Sequence, residues 1–144
     1  HCDLQCGQIS DNSGLSLTAD DICVCNDKFI WDSTNYRCLV KCSEIAFTAG
    51  AKSGTTNQCN CLNNFAWVQN TLACQIDCSL MTHTMGLLNG TLDTCQCEDK
   101  FAWQSQSQKC VIQCSTLNDT TGLQVNTTDT CVCRTGFYWN STAK

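Results

Sequence analysis

Two short period-2 patterns alternate along this chain. The first is C-x-Φ-x-C, with Leu4, Val40, Ile76 and Ile112 as its apolar centre. The second is F-x-W, at Phe29/Trp31, Phe65/Trp67, Phe101/Trp103 and Phe137/Trp139. Alternate side chains of a strand share a face, so Cys2, Leu4 and Cys6 belong together, as do Phe29 and Trp31. Between each F-x-W and the next C-x-Φ-x-C lies a polar, turn-rich segment: DSTNYR, VQNTLA or QSQSQK. Such segments between apolar runs predict hairpins. The F-x-W strand comes first and the C-x-Φ-x-C strand second, over about 23–42, 59–78 and 95–114. Phe29 and Trp31 are expected to pack across the pair on Val40 and the Cys38 sulfur.

All of these positions recur at one step. The cysteines stand at Cys2, Cys6, Cys23 and Cys25, then Cys38, Cys42, Cys59 and Cys61, then Cys74, Cys78, Cys95 and Cys97, then Cys110, Cys114, Cys131 and Cys133. Each position returns after 36 residues without an insertion, and Gly14, Gly50, Gly86 and Gly122 keep the same step. A fixed period of this length is the signature of a repeat architecture. The chain therefore divides into repeats 1–36, 37–72, 73–108 and 109–144, with the hairpins straddling their boundaries. The expected fold is small, disulfide-rich and all-β, a linear tandem array of four 36-residue hairpin repeats. The 16 residues between the second and third cysteine of each period are expected to be a variable, solvated loop whose glycine takes a positive φ.

The composition sharpens this. Sixteen cysteines in 144 residues make a disulfide scaffold the default reading and require an oxidising compartment. A single period has too few apolar side chains to order itself by burial, so cross-links and stacking on neighbours must hold it. Residue 1 is His rather than Met, consistent with a processed or excised piece. No apolar run approaches membrane-spanning length, so no membrane insertion is expected. A net charge of −5 makes nucleic acid an unsuitable partner, because phosphate binding needs a basic patch.

Cys131, Cys133, Gly136 and Phe137 form the string C-x-C-x-x-G-F, which resembles the second half of an epidermal-growth-factor-like (EGF-like) module. The other copies carry Lys28, Asn64 and Lys100 where that family has Gly, and the chain has four cysteines per period where the family has six. More loosely, the chain resembles cysteine-rich tandem repeats of secreted surface and fibre glycoproteins. The EGF-like resemblance implies Cys25–Cys38, Cys61–Cys74 and Cys97–Cys110 across the hairpins. It implies Cys6–Cys23, Cys42–Cys59, Cys78–Cys95 and Cys114–Cys131 closing the long loops. Cys2 and Cys133 are then left to seek partners in an adjacent copy. Pairing inside each period, for example Cys2–Cys23 and Cys6–Cys25, remains open at the level of sequence.

Other chemistry is sparse. C-x-C can share a soft metal, but zinc sites favour C-x-x-C with further ligands, and no metal or cofactor is expected. Only His1 and His83 could serve a nucleophile, neither recurs with the period, and both read as solvated loop residues; no enzyme is expected. The column that would bind calcium in EGF-like modules reads Asp20–Asp21, then Asn57–Gln58, then Asp93–Thr94, too inconsistent for a calcium site. The tryptophan column reads as core rather than as a sugar-stacking platform. N-x-S/T sequons at Asn89, Asn118, Asn126 and Asn140 mark glycan acceptors in a secreted chain.

The reading is a structural extracellular or cell-surface glycoprotein, a rod or the protomer of a filament. Its expected partners are covalent glycans and itself, as head-to-tail copies or as flanking repeats of a longer chain. Twelve residues would separate Cys133 from Cys2 of a following copy, as they separate Cys25 from Cys38. The alternative is a modular binding or adhesion protein that uses its variable long loops.

Overall fold

The structure, a computed structural model, describes residues 4–16 and 21–142. It is nearly all β, built of two-stranded antiparallel hairpins, with four single-turn 3-10 segments at Cys6–Gln8, Cys42–Glu44, Cys78–Leu80 and Cys114–Thr116. The strands are β1 (Asn12–Leu15), β2 (Cys23–Cys25), β3 (Phe29–Asp32), β4 (Arg37–Val40), β5 (Thr48–Ala51), β6 (Cys59–Cys61), β7 (Phe65–Val68), β8 (Ala73–Ile76), β9 (Thr84–Leu87), β10 (Cys95–Cys97), β11 (Phe101–Gln104), β12 (Lys109–Ile112), β13 (Thr120–Leu123) and β14 (Cys131–Cys133). The chain divides into two compact units, residues 1–75 and 76–144, a partition the 36-residue period does not announce.

The F-x-W hairpins have the register expected of them. In β3–β4, Phe29 faces Val40 and Trp31 faces Cys38; in β11–β12, Phe101 faces Ile112 and Trp103 faces Cys110. Two expectations need correction. The third and fourth cysteines of each period do not extend the F-x-W strand: β2 pairs with β1, β6 with β5, β10 with β9 and β14 with β13. The long loops are thus hairpins of their own rather than free loops. C-x-Φ-x-C is also not all strand, since β4 ends at Val40 and Cys42 opens a 3-10 turn.

Each long-loop hairpin carries a slip in register at its glycine. Asn12 faces Cys25 and Gly14 faces Val24, leaving Ser13 as the extra residue. Such a bulge needs a backbone that L side chains avoid, and Gly14 meets it with a φ of 131°.

Sulfur fills the place of an apolar core. Cys6–Cys23, Cys42–Cys59, Cys78–Cys95 and Cys114–Cys131 each span 17 positions, and Cys25–Cys38, Cys61–Cys74 and Cys97–Cys110 each span 13. These seven pairs are the ones the EGF-like resemblance implied. The most deeply buried side chains are Cys23, Cys38, Cys59, Cys74, Cys95, Cys110 and Cys131, one from each bridge. Few aliphatics join them, chiefly Val40, Ile76, Val111 and Ile112, and no buried residue among those described is polar or charged. Bridges of this length each contribute about 3 kcal/mol in the chain-entropy account, which offsets the thin core.

Candidate functional site: the repeat junction

The structure draws its recurring side chains together where one hairpin meets the next long loop. In the first unit Val40, Cys42 and Cys59 form a buried cluster. Phe29 packs on it from the preceding hairpin, Trp67 from the following hairpin, and Ile45 from the loop itself. The second unit repeats the arrangement with Ile112, Cys114 and Cys131, flanked by Phe101, Trp139 and Leu117. The two aromatics of an F-x-W strand therefore serve different junctions. The phenylalanine packs towards later residues and the tryptophan towards earlier ones. The tryptophans are half-buried junction residues, and the indole N–H of Trp31, Trp103 and Trp139 is enclosed without an acceptor. Trp67 instead donates to Gln69 Oε1 at 3.0 Å.

Local bonds fix the junction. Phe29 N–H donates to Asn26 O at 3.0 Å, closing a four-residue turn that leads into β3. Its third residue, Lys28, has a φ of 68°; Asn64 and Lys100 have the same value, and Gly136 has 93°. The three departures from the glycine of the EGF-like string thus keep a backbone that glycine favours. The carbonyl of this residue then holds the next segment, as Lys41 N–H donates to Lys28 O at 2.7 Å and Gln113 N–H to Lys100 O at 2.8 Å. Strand and long loop are tied as well, with Val40 N–H donating to Thr56 O at 2.8 Å and Ile112 N–H to Thr128 O at 2.8 Å.

Two columns escape a reading that follows cysteine and aromatics. Thr48, Thr84 and Thr120 donate their hydroxyls to the carbonyls of Cys42, Cys78 and Cys114 at 2.7, 2.9 and 2.6 Å, and each also lies near the carbonyl that ends the 3-10 turn. In the first repeat Asn12 donates through Nδ2 to Ile9 O. The 36-residue step of Thr48, Thr84 and Thr120 was the available signal. Just before this column Asp11, Phe47, His83 and Asp119 all take a positive φ of 59–61°. Phe47 stacks on Phe65 with ring centres 4.5 Å apart, and His83 on Phe101 at 4.1 Å.

His83 is accordingly not a solvated loop residue. It is half-buried on Phe101, with Nδ1 3.1 Å from Glu98 Oε2 and Nε2 4.0 Å from Asp129 Oδ2. Among the described residues no serine or cysteine side chain bonds to it. The four sequon asparagines, Asn89, Asn118, Asn126 and Asn140, are all exposed. Asn140 Oδ1 accepts from the Thr142 amide at 3.0 Å and from its hydroxyl at 2.7 Å. Of the calcium column, Asp21 and Asp93 are exposed and lie in different repeats. Among the described residues no group of His, Cys, Asp and Glu is placed to hold a metal ion, and no helix is long and apolar enough to cross a membrane. His1, Cys2 and Asp20 lie outside the described residues.

Cys133 is the one cysteine without a disulfide among the described residues. It lines an open cavity of about 240 Å³ together with Leu117, Thr120, Phe137, Tyr138 and Asn140. Comparison with family models, curated proteins and solved structures finds no match to this chain.

Proposed function

We infer that the chain is a structural extracellular glycoprotein, the rod-like protomer or repeat segment of a fibre, held by sulfur rather than by an apolar core. One observation carries this reading. The same junction, a phenylalanine from one hairpin and a tryptophan from the next closing on a long-loop disulfide, recurs in each unit. A repeat that uses its side chains to bind its neighbours extends in one direction and needs no unique cleft. Seven disulfides suit an oxidising location outside the cell. Four exposed sequon asparagines offer glycan sites that would keep such a surface hydrated. Negative-stain microscopy of native material tests the reading. Fibres that fragment on reduction are expected, and dispersed short particles would overturn it.

A second reading, a binding module, has one feature in its favour. An open groove of about 620 Å³ lies between β4 and the 50–56 loop, with Arg37, Lys41 and Lys52 on its lining. Arg37 faces Asp32 at 3.5 Å and Lys41 pairs with Glu44, which leaves that groove little free positive charge. Saturable binding of an anionic polysaccharide, lost in Lys52→Glu, would favour this reading over the structural one.

A further inference from the structure

The open groove between β4 and the 50–56 loop is lined by residues that depart from the 36-residue period. Ala51, at the end of β5, stands where the later repeats have Leu87 and Leu123. An alanine in a leucine column leaves the room of a side chain. The wall beside it is apolar. Ile30 pairs across the ladder with Leu39, and both line the groove with Val40. Ile30 is 51% exposed, and the later hairpins carry only Ala66 and Ala102 at that step.

Charge departs as well. Lys52 stands where the later repeats have Leu88 and Gln124. It is exposed, and its ammonium has no partner among the described residues. Arg37 and Lys41 on the same rim are already paired with Asp32 and Glu44. The groove therefore offers one free cation beside an apolar trough. The sequons depart too. Asn89 lies one period after Ser53, and Asn126 two periods after Gly54. Residues 53–55 read Ser-Gly-Thr where 89–91 read Asn-Gly-Thr, with Gly54 and Gly90 turning the loop at φ of 77° and 80°. The third and fourth repeats thus place a glycan acceptor in this loop, and the groove's own loop has none.

We propose that this groove binds a single-chain amphiphile with one anionic head, a fatty carboxylate, with its head on Lys52 Nζ and its chain along Ile30, Leu39 and Ala51. This rests on the glycan sites of the structural reading and adds a ligand to that scaffold. A volume of about 620 Å³ lies in the range of small-molecule sites, which are mostly apolar with a few polar groups. One unpaired ammonium matches one carboxylate, whereas a polyanion would need the cations that Asp32 and Glu44 already hold. The chain drives binding by leaving water, and the exposed ion pair sets its direction. A glycan at position 53 would stand at the mouth of the groove.

Amide shifts of the full chain, titrated with sodium decanoate below its micelle concentration, test the site. One saturable site is expected, with the largest shifts at residues 50–54. Butyrate, which keeps the head and loses the chain, should not saturate it. Ala51→Leu and Ile30→Ala copy residues that later repeats already fold with, and each should weaken decanoate about tenfold, the loss of roughly two buried methylenes. Lys52→Gln should weaken it about threefold, as an exposed ion pair allows. Ser53→Asn should abolish binding when produced with its glycan and keep it when produced in a host without N-glycosylation. No saturation by decanoate, equal binding of butyrate, or unchanged affinity in both Ala51→Leu and Ile30→Ala would overturn the proposal. So would undiminished binding by Lys52→Gln or by glycosylated Ser53→Asn. Heparin saturating these amides without decanoate would overturn it in favour of a polysaccharide, and binding to phosphatidylglycerol vesicles alone in favour of a membrane surface. Each of these failures leaves fibres seen by microscopy, and hence the structural reading, untouched.

Discussion

The stretches 97–112 and 133–140 carry the same pattern, and the second unit holds one closed and the other open. In both, the tryptophan keeps its place: Trp103 and Trp139 are half-buried with an enclosed N–H, and Trp139 still packs on Ile112, Cys114 and Cys131. The phenylalanine does not. Phe101 lies between Ile112 and the His83 ring, whereas Phe137 faces solvent. The difference teaches that each F-x-W strand is held from two directions. Its tryptophan packs on residues behind it, and its phenylalanine on the strand that follows and, in the middle repeats, also on a ring that precedes it.

The largest effect should come from opening the closed copy. Cys97→Ser with Cys110→Ser removes a bridge spanning 13 positions and is expected to cost about 3 kcal/mol in denaturant unfolding. Amide exchange over 101–112 should then approach that of 137–140; unchanged protection there would show that the bridge does not hold the hairpin. Next come the aromatics. Phe101→Ala and Trp139→Ala should each destabilise the monomeric chain by about 2 kcal/mol, below the range for fully buried aromatics. Phe137→Ala should cost less than about 0.5 kcal/mol, as an exposed substitution does. Equal losses at Phe101 and Phe137 would erase the distinction.

A smaller contrast lies in the turn before each strand. Lys100→Gly relieves a side chain from a φ of 68° and should stabilise by about 0.5–1 kcal/mol, because glycine's entropy cost takes back part of the gain. Gly136→Lys should move the melting temperature the opposite way. The smallest effect concerns Asp32, whose carboxylate accepts from the Asn35 side chain and from the Thr34 and Asn35 amides at the end of β3. These bonds, the Asn35 side chain first, hold its pKa below the ordinary 3.8. A depressed carboxylate pKa stabilises the fold above the ordinary value and loses that contribution as pH falls through the folded one. Protection of the Thr34 and Asn35 amides, measured against their intrinsic exchange, should therefore fall as pH drops below the ordinary 3.8, and Asp32→Asn should abolish that change in protection.

Much of the junction is legible in the sequence alone. Phe29 opposite Val40 and Trp31 opposite Cys38 follow from period-2 spacing around a polar turn, because those faces are buried and burial leaves its trace in composition. The long-loop hairpins left no such trace. The β5 segment TAGA is mostly exposed, and β5–β6 is held by the Cys42–Cys59 bridge, a glycine bulge and a threonine hydroxyl. None of these depends on alternating hydrophobicity. The stacked pairs Phe47–Phe65 and His83–Phe101 occur only in the middle repeats, so a search for columns shared by all four passes over them.

The seating of Trp67 and Trp139 directly on a long-loop disulfide has an optical consequence. A disulfide is an efficient electron acceptor for an excited indole, so these residues should be nearly dark in the oxidised protein. Reduction would remove the acceptor and brighten them, and the chain would report the state of its own cross-links by its ultraviolet emission.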